Sequence, residues 1–134
     1  MREHLTVRDA DARLSNEMVR ALARQEKIAG RSLMDAVARA EAGLIDANLG
    51  GGVIKQRLAR KGQGRSGGYR ALIAFRVSAR AVFLYAFAKN ERANIDADEL
   101  VTLKQIAETW LAATETKIDR AIADGALIEV KYET

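Results

Sequence analysis

Between Gly50 and Arg92 the chain carries ten basic residues and one acidic residue, Glu91, so this stretch alone has a net charge of +9. The same stretch alternates apolar and polar residues with the period of a β-strand, and few architectures satisfy both properties. Val53–Arg60 sets Ile54, Gln56 and Leu58 on one side and Lys55 and Arg57 on the other. Tyr69–Arg76 sets Arg70, Leu72, Ala74 and Arg76 against Tyr69, Ala71, Ile73 and Phe75. Arg80–Lys89 is almost wholly apolar inside, as a central strand covered on both faces would be. Val77-Ser78 suits a tight hairpin, so the three segments predict an antiparallel meander. Cations borne on strands need water, a partner or a ligand, because unpaired burial is costly. The stretch itself offers almost no carboxylate for them. The chain as a whole is +4, which leaves −5 for everything outside the stretch. A basic middle between acidic flanks predicts contact with a polyanion.

Helical periodicity surrounds this block. Ser15 to Lys27 reads as a helix, capped by Ser15 and ended by Gly30. Leu33 to about Ala42 reads as a second, with Ser32 as N-cap and Gly43 as the left-handed stop. The short link between them predicts an αα-hairpin. Gly50-Gly51-Gly52 then breaks the chain. After the strands, Asp96 with Glu99 three residues on forms a capping signal for a helix with a stripe of Leu100, Leu103, Ile106, Ala107, Trp110 and Leu111. Thr114 starts a shorter helix carrying Ile118, Ala121 and Ile122, ended by Gly125. Leu127, Ile128 and Val130 form an apolar tag, expected as an edge strand or a docked tail. His4 to Arg8 alternates weakly and is open to reading as an edge strand. Helices, then strands, then helices predict an α+β domain over residues 1–134, with residues 1–13 as an N-terminal extension.

Several chemistries are disfavoured. With no cysteine and a single histidine, His4, the chain offers no thiolate or zinc-type ligand spacing, and no metal or other cofactor is expected. No apolar run approaches the roughly 20 residues that span a bilayer, and the N-terminus lacks a secretory pattern. No membrane partner is therefore expected, and a cytoplasmic location is the default. Gly62-Gln63-Gly64-Arg65-Ser66-Gly67-Gly68 contains G-x-G-x-x-G, but a strand rather than a helix follows it, so the dinucleotide reading fails on context. The same loop carries Lys61 and Arg65 beside exposed amides and suits phosphate contact. A DNA-reading helix is disfavoured because the cations lie on strands and loops.

Three segments resemble the RelE/HigB-type toxins of bacterial type II toxin–antitoxin systems, in their phage-associated branch. They are Gly43-Leu44-Ile45-Asp46-Ala47-Asn48-Leu49-Gly50-Gly51-Gly52-Val53-Ile54-Lys55-Gln56-Arg57, Gly62-Gln63-Gly64-Arg65-Ser66-Gly67-Gly68-Tyr69-Arg70, and Phe87-Ala88-Lys89-Asn90-Glu91-Arg92-Ala93-Asn94-Ile95-Asp96. The likeness runs from about Leu14 to Val130. It implies a RelE-like fold, a helical hairpin packed on a twisted antiparallel sheet with C-terminal helices. It also implies a metal-independent endoribonuclease that cuts mRNA, often within the ribosomal A site, and so inhibits translation. A cognate antitoxin, in this branch often a helix-turn-helix protein, is the implied partner. The family's basic positions fall on Arg70, Lys55, Arg57 and Lys89, the candidate catalytic residues; the chemistry of the side chains then expects Arg70 and Arg57 to clamp the scissile phosphate and Lys55 or Lys89 to act as acid or base, with Glu91 as a reserve base. Arg60, Lys61, Arg65, Tyr69, Arg76 and Arg92 are the further RNA-binding candidates. Where well-studied RelE toxins have an arginine after the exit lysine and a tyrosine further on, this chain has Asn90 and Asp96. That departure keeps two alternatives open: a ParE-like gyrase inhibitor on the same fold, and a non-catalytic member that binds RNA or antitoxin.

Overall fold

A computed structural model of the chain describes residues 5–8, 30–58, 68–89 and 95–129. In chain order its elements are β1 (Leu5–Arg8), α1 (Gly30–Glu41), β2 (Ala47–Gly50), β3 (Val53–Leu58), β4 (Tyr69–Arg76), β5 (Arg80–Ala88), α2 (Ala97–Ala112), α3 (Glu115–Asp124) and β6 (Leu127–Glu129). The strands form one sheet in the order β2-β3-β4-β5-β1-β6. Every neighbouring pair is antiparallel except β1 and β5, which run parallel. The α+β class and the β3–β4–β5 meander are as the sequence predicts. The helix expected over residues 15–27, the hairpin it would form and the strand residues Ala59 and Arg60 lie outside the described residues.

Helices cover both faces of the sheet. On one, Leu33, Ala36, Val37 and Ala40 of α1 recur every three or four residues and bury against Ile54, Leu58, Tyr69, Ile73, Phe75 and Phe83. The helix begins at Gly30, ahead of the expected start, so Ser32 lies in its first turn rather than capping it. It ends as expected at Gly43 (φ 86°), where Gly43 N donates to Ala40 O and Leu44 N to Arg39 O in a Schellman arrangement. On the other face, Leu103, Ala107, Trp110 and Leu111 of α2 and Ile118 and Ala121 of α3 pack on Val53, Leu72, Ala74, Val82 and Leu84. The Asp96–Glu99 capping box is formed, and Thr114 caps α3. Arg80, with its side chain 9% exposed, joins the sheet to the α2–α3 corner. Its guanidinium donates to the Trp110 and Ala113 carbonyls and pairs with Glu115, each at 2.6 Å. A cation at the carbonyl end of α2 also complements the helix dipole.

The structure corrects two expectations. The glycine run is a hairpin turn and not only a break: β2 pairs with β3, and Gly51 and Gly52, both at positive φ (61° and 83°), connect them. A Cβ on Gly52 would lie 2.6 Å from Leu111 Cδ1, so this turn is held directly against α2. The second correction concerns β1, which lies within the sheet between β5 and β6 rather than at its edge. Among the described residues no helix is long and apolar enough to cross a membrane.

Candidate functional site

Lys55 and Arg57 share a face of β3 with Val53, and Arg70 shares a face of β4 with Leu72 and Ala74, so all three belong to the α2 side of the sheet. The register sets Arg57 directly opposite Arg70 and Lys55 opposite Leu72. A bulge then decides what stands beside them. Leu72 faces Tyr85 whereas Ile73 faces Phe83, so Leu84 is an extra residue in β5. The extra residue turns Tyr85 and Phe87 onto the α2 side. Strict alternation from Phe83 would have sent them to α1. Phe87 stands opposite Arg70. Lys89, exposed and two residues beyond Phe87, keeps to the ladder by donating its N–H to Gly68 O at 3.3 Å. The Tyr85 and Phe87 rings, 6.0 Å apart between centroids and tilted by 38°, form an apolar floor beside the cations.

Like charges directly across a strand pair repel. Asp46, at the entry to β2, relieves this on one side. Its carboxylate accepts the Arg57 main-chain N–H at 2.7 Å and the Arg57 guanidinium at 3.0 Å. Arg39 of α1 comes within 3.5 Å of the same carboxylate and donates to the Arg57 carbonyl. Burial pushes the Asp46 carboxyl up, but the hydrogen bonds and charge of Arg57, with that of Arg39, outweigh it and hold the group below its ordinary 3.8. Arg57 is thus a paired cation, although the stretch from Gly50 to Arg92 holds almost no acid; the partner lies just ahead of that stretch. Lys55 has no side-chain partner among the described residues, and the Arg70 guanidinium has only the Tyr69 carbonyl at 3.4 Å.

Behind this row stands Gln56, fully buried on the α1 side and fully bonded. Its amide donates to Ala36 O at 2.9 Å and Leu44 O at 3.2 Å, and its oxygen accepts from Asp46 N at 2.7 Å. One side chain thereby ties α1, the loop carrying Asp46, and β3 into a single register.

The expected site residues do not all meet. Tyr69 is 1% exposed in the α1-side core, on the face opposite Arg70, so it cannot stack on a ligand there. Arg76 is on the α2 side but at the far end of β4, six residues or about 20 Å from Arg70. There it lines a separate groove of about 620 Å³ with Lys104, Val101 and the Gly51-Gly52 turn. Arg60, Lys61, Arg65 and Arg92 lie outside the described residues, as do Asn90 and Glu91. Asp96 is occupied as the cap of α2. Nothing in the sequence pattern marks Arg39 or Asp46 as site residues. Asp46 lies inside one of the resembling segments, but no spacing rule ties it to a residue eleven positions on.

What the row offers chemically is several cations of different reach over an apolar floor, two of them with no carboxylate of their own among the described residues. A planar guanidinium fork suits phosphate oxygens. A family model described as the RelE toxin of the RelE/RelB toxin–antitoxin system matches residues 14–130. No curated protein matches the chain.

Proposed function

The chain belongs to the RelE toxin family, the toxin half of a toxin–antitoxin pair with a cognate antitoxin as its partner, and on that premise we propose that it cuts mRNA. The observation that carries the reading is the in-register opposition of Arg57 and Arg70 beside Lys55, which has no side-chain partner among the described residues, on one sheet face. Such a row is well matched to a ribose-phosphate chain. The 2′-hydroxyl of the substrate attacks the neighbouring phosphorus, the bond to the 5′-oxygen breaks, and a 2′,3′-cyclic phosphate and a 5′-hydroxyl result. Arg57 and Arg70 hold the phosphate and stabilise the charge that builds on the phosphorane. Lys55 and Lys89 divide the proton work, one taking the 2′-hydroxyl proton and one supplying the 5′-oxygen. The mRNA is engaged at the ribosome, and the antitoxin, a helix-turn-helix protein, silences the toxin by covering the basic face.

Expression of the chain without its antitoxin tests this. We expect growth arrest, transcripts with new 5′-hydroxyl ends, and undiminished gyrase supercoiling. Arg70→Ala is expected to lower the cleavage rate by on the order of 10²- to 10³-fold, the loss typical of one preorganised charge-stabilising group. An Arg70→Ala protein that cuts RNA as fast as the unaltered chain would remove the assignment, and inhibited gyrase with intact transcripts would replace the function.

A further inference from the structure

Asp46 does more than neutralise a neighbour. Its two oxygens address two different groups of Arg57: Oδ2 accepts the main-chain N–H and Oδ1 accepts Nη2. The carboxylate therefore ties the guanidinium back to its own backbone, which removes most of the freedom a long side chain would have from a strand. Arg39 braces the acid from the helix side, and Gln56 accepts the Asp46 main-chain N–H, so the acid is itself immobile at both ends. The Arg57 side chain remains 43% exposed, and its Nε–H is buried without an acceptor among the described residues. A guanidinium held along one edge, with much of its side chain still open to solvent, is preorganised for an incoming oxyanion.

We infer that Asp46 is a positioning residue for the reaction. It sets the Arg57 guanidinium opposite Arg70 so that the two arginines meet one phosphate, and it does so without touching RNA. This rests on the reading of the site as an RNA-cleaving one, and it makes Arg57 effective only while Asp46 holds it. Asp46→Asn keeps an acceptor for the Arg57 amide and loses the charged partner of the guanidinium.

The test has two arms. In the first, RNA cleavage is measured at saturating substrate for Asp46→Asn, Arg57→Ala and the double variant, with affinity read on an uncleavable 2′-O-methyl oligonucleotide. Asp46→Asn should lower the cleavage rate by on the order of 10²-fold, the cost of a misplaced group in a preorganised site, with little change in affinity. Adding it to Arg57→Ala should cost nothing more; independent, multiplying losses would overturn the inference. In the second arm, the guanidinium resonances of Arg57 are followed by ¹⁵N NMR and assigned by their absence from Arg57→Lys. Separate, slowly exchanging signals in the unaltered chain should collapse in Asp46→Asn; signals that stay unchanged would overturn it. This arm reads the positioning whether or not the chain cuts RNA, so a protein without nuclease activity would refute the proposed function and still decide the role of Asp46. If Asp46→Asn fails to fold, Asp46→Ser carries both arms.

Discussion

Lys55 and Arg76 both rise from the α2 side of the sheet, and the distance between the two ends of the strands separates their roles. Lys55 stands two residues along β3 from the Arg57–Arg70 pair, on the same face, whereas Arg76 closes β4 beside Lys104. Replacing Lys55 with alanine should reduce RNA cleavage by on the order of 10²-fold or more, the contribution usual for a positioned proton-transfer group. Arg76→Ala should leave the rate nearly unchanged. Equal losses from the two, measured on one substrate, would mean that charge total rather than placement governs the chemistry. Asp46 adds a dependence on acid. Its folded carboxyl lies below the ordinary value of 3.8, so it contributes stability that is present above 3.8 and lost as pH falls through the lower folded value. Urea midpoints of the unaltered chain and Asp46→Asn should therefore differ near neutrality and converge only below pH 3.8; a gap that persisted in stronger acid would show that the carboxylate contributes no charge-dependent stability.

Gln56 shows how a single residue governs the relation between elements. It lies on the apolar side of β3 and bonds α1, the loop before β2 and its own strand through three contacts. Gln56→Leu preserves volume but removes a bond from the Asp46 N–H and from the Ala36 and Leu44 carbonyls, so it should cost about 2–4 kcal/mol in urea unfolding, the equivalent of one to two fully unsatisfied polar groups. A cost within experimental error would show that water replaces the amide. Much of this architecture was legible before the structure, because local signals carried it. Alternation marked β3 and β4, the capping box marked α2, and Gly43 and Gly125 marked the ends of α1 and α3. What was hidden depended on register and partners. β5 is apolar on both faces, so nothing in its pattern reveals the bulge at Leu84 that brings Tyr85 and Phe87 beside Arg70. β2 is four residues long and half-exposed, too short for periodicity to speak. β1 takes its place from two strands more than seventy residues away in sequence, and it lies ahead of the residues that match the family. The same blindness applied to Asp46, whose importance comes from the neighbour that strand pairing gives it.

At the scale of the molecule the question is how many of the ten cations between Gly50 and Arg92 act on one ligand. The fold removes some of them from contention. Arg80 is consumed by the α2–α3 corner, and Arg76 is carried to the opposite end of the sheet. Lys55, Arg57, Arg70 and Lys89 remain at the end beside the apolar floor. Counterion release converts such a count into a measurement, because each phosphate neutralised on a single strand contributes about 0.7 to the slope of log K against log salt. Four participating cations predict a slope of about −3 for an uncleavable single-stranded RNA. Loss of Lys55 or Arg70 should make it shallower by about 0.7, and loss of Arg76 should leave it alone. If Arg60, Lys61, Arg65 and Arg92 also reach the backbone, the slope steepens toward about −6, so its value measures whether these cations extend the site. A slope near zero would mean that the basic face does not hold RNA through its phosphates. The concentration of positive charge in this stretch would then have to be explained by the antitoxin alone.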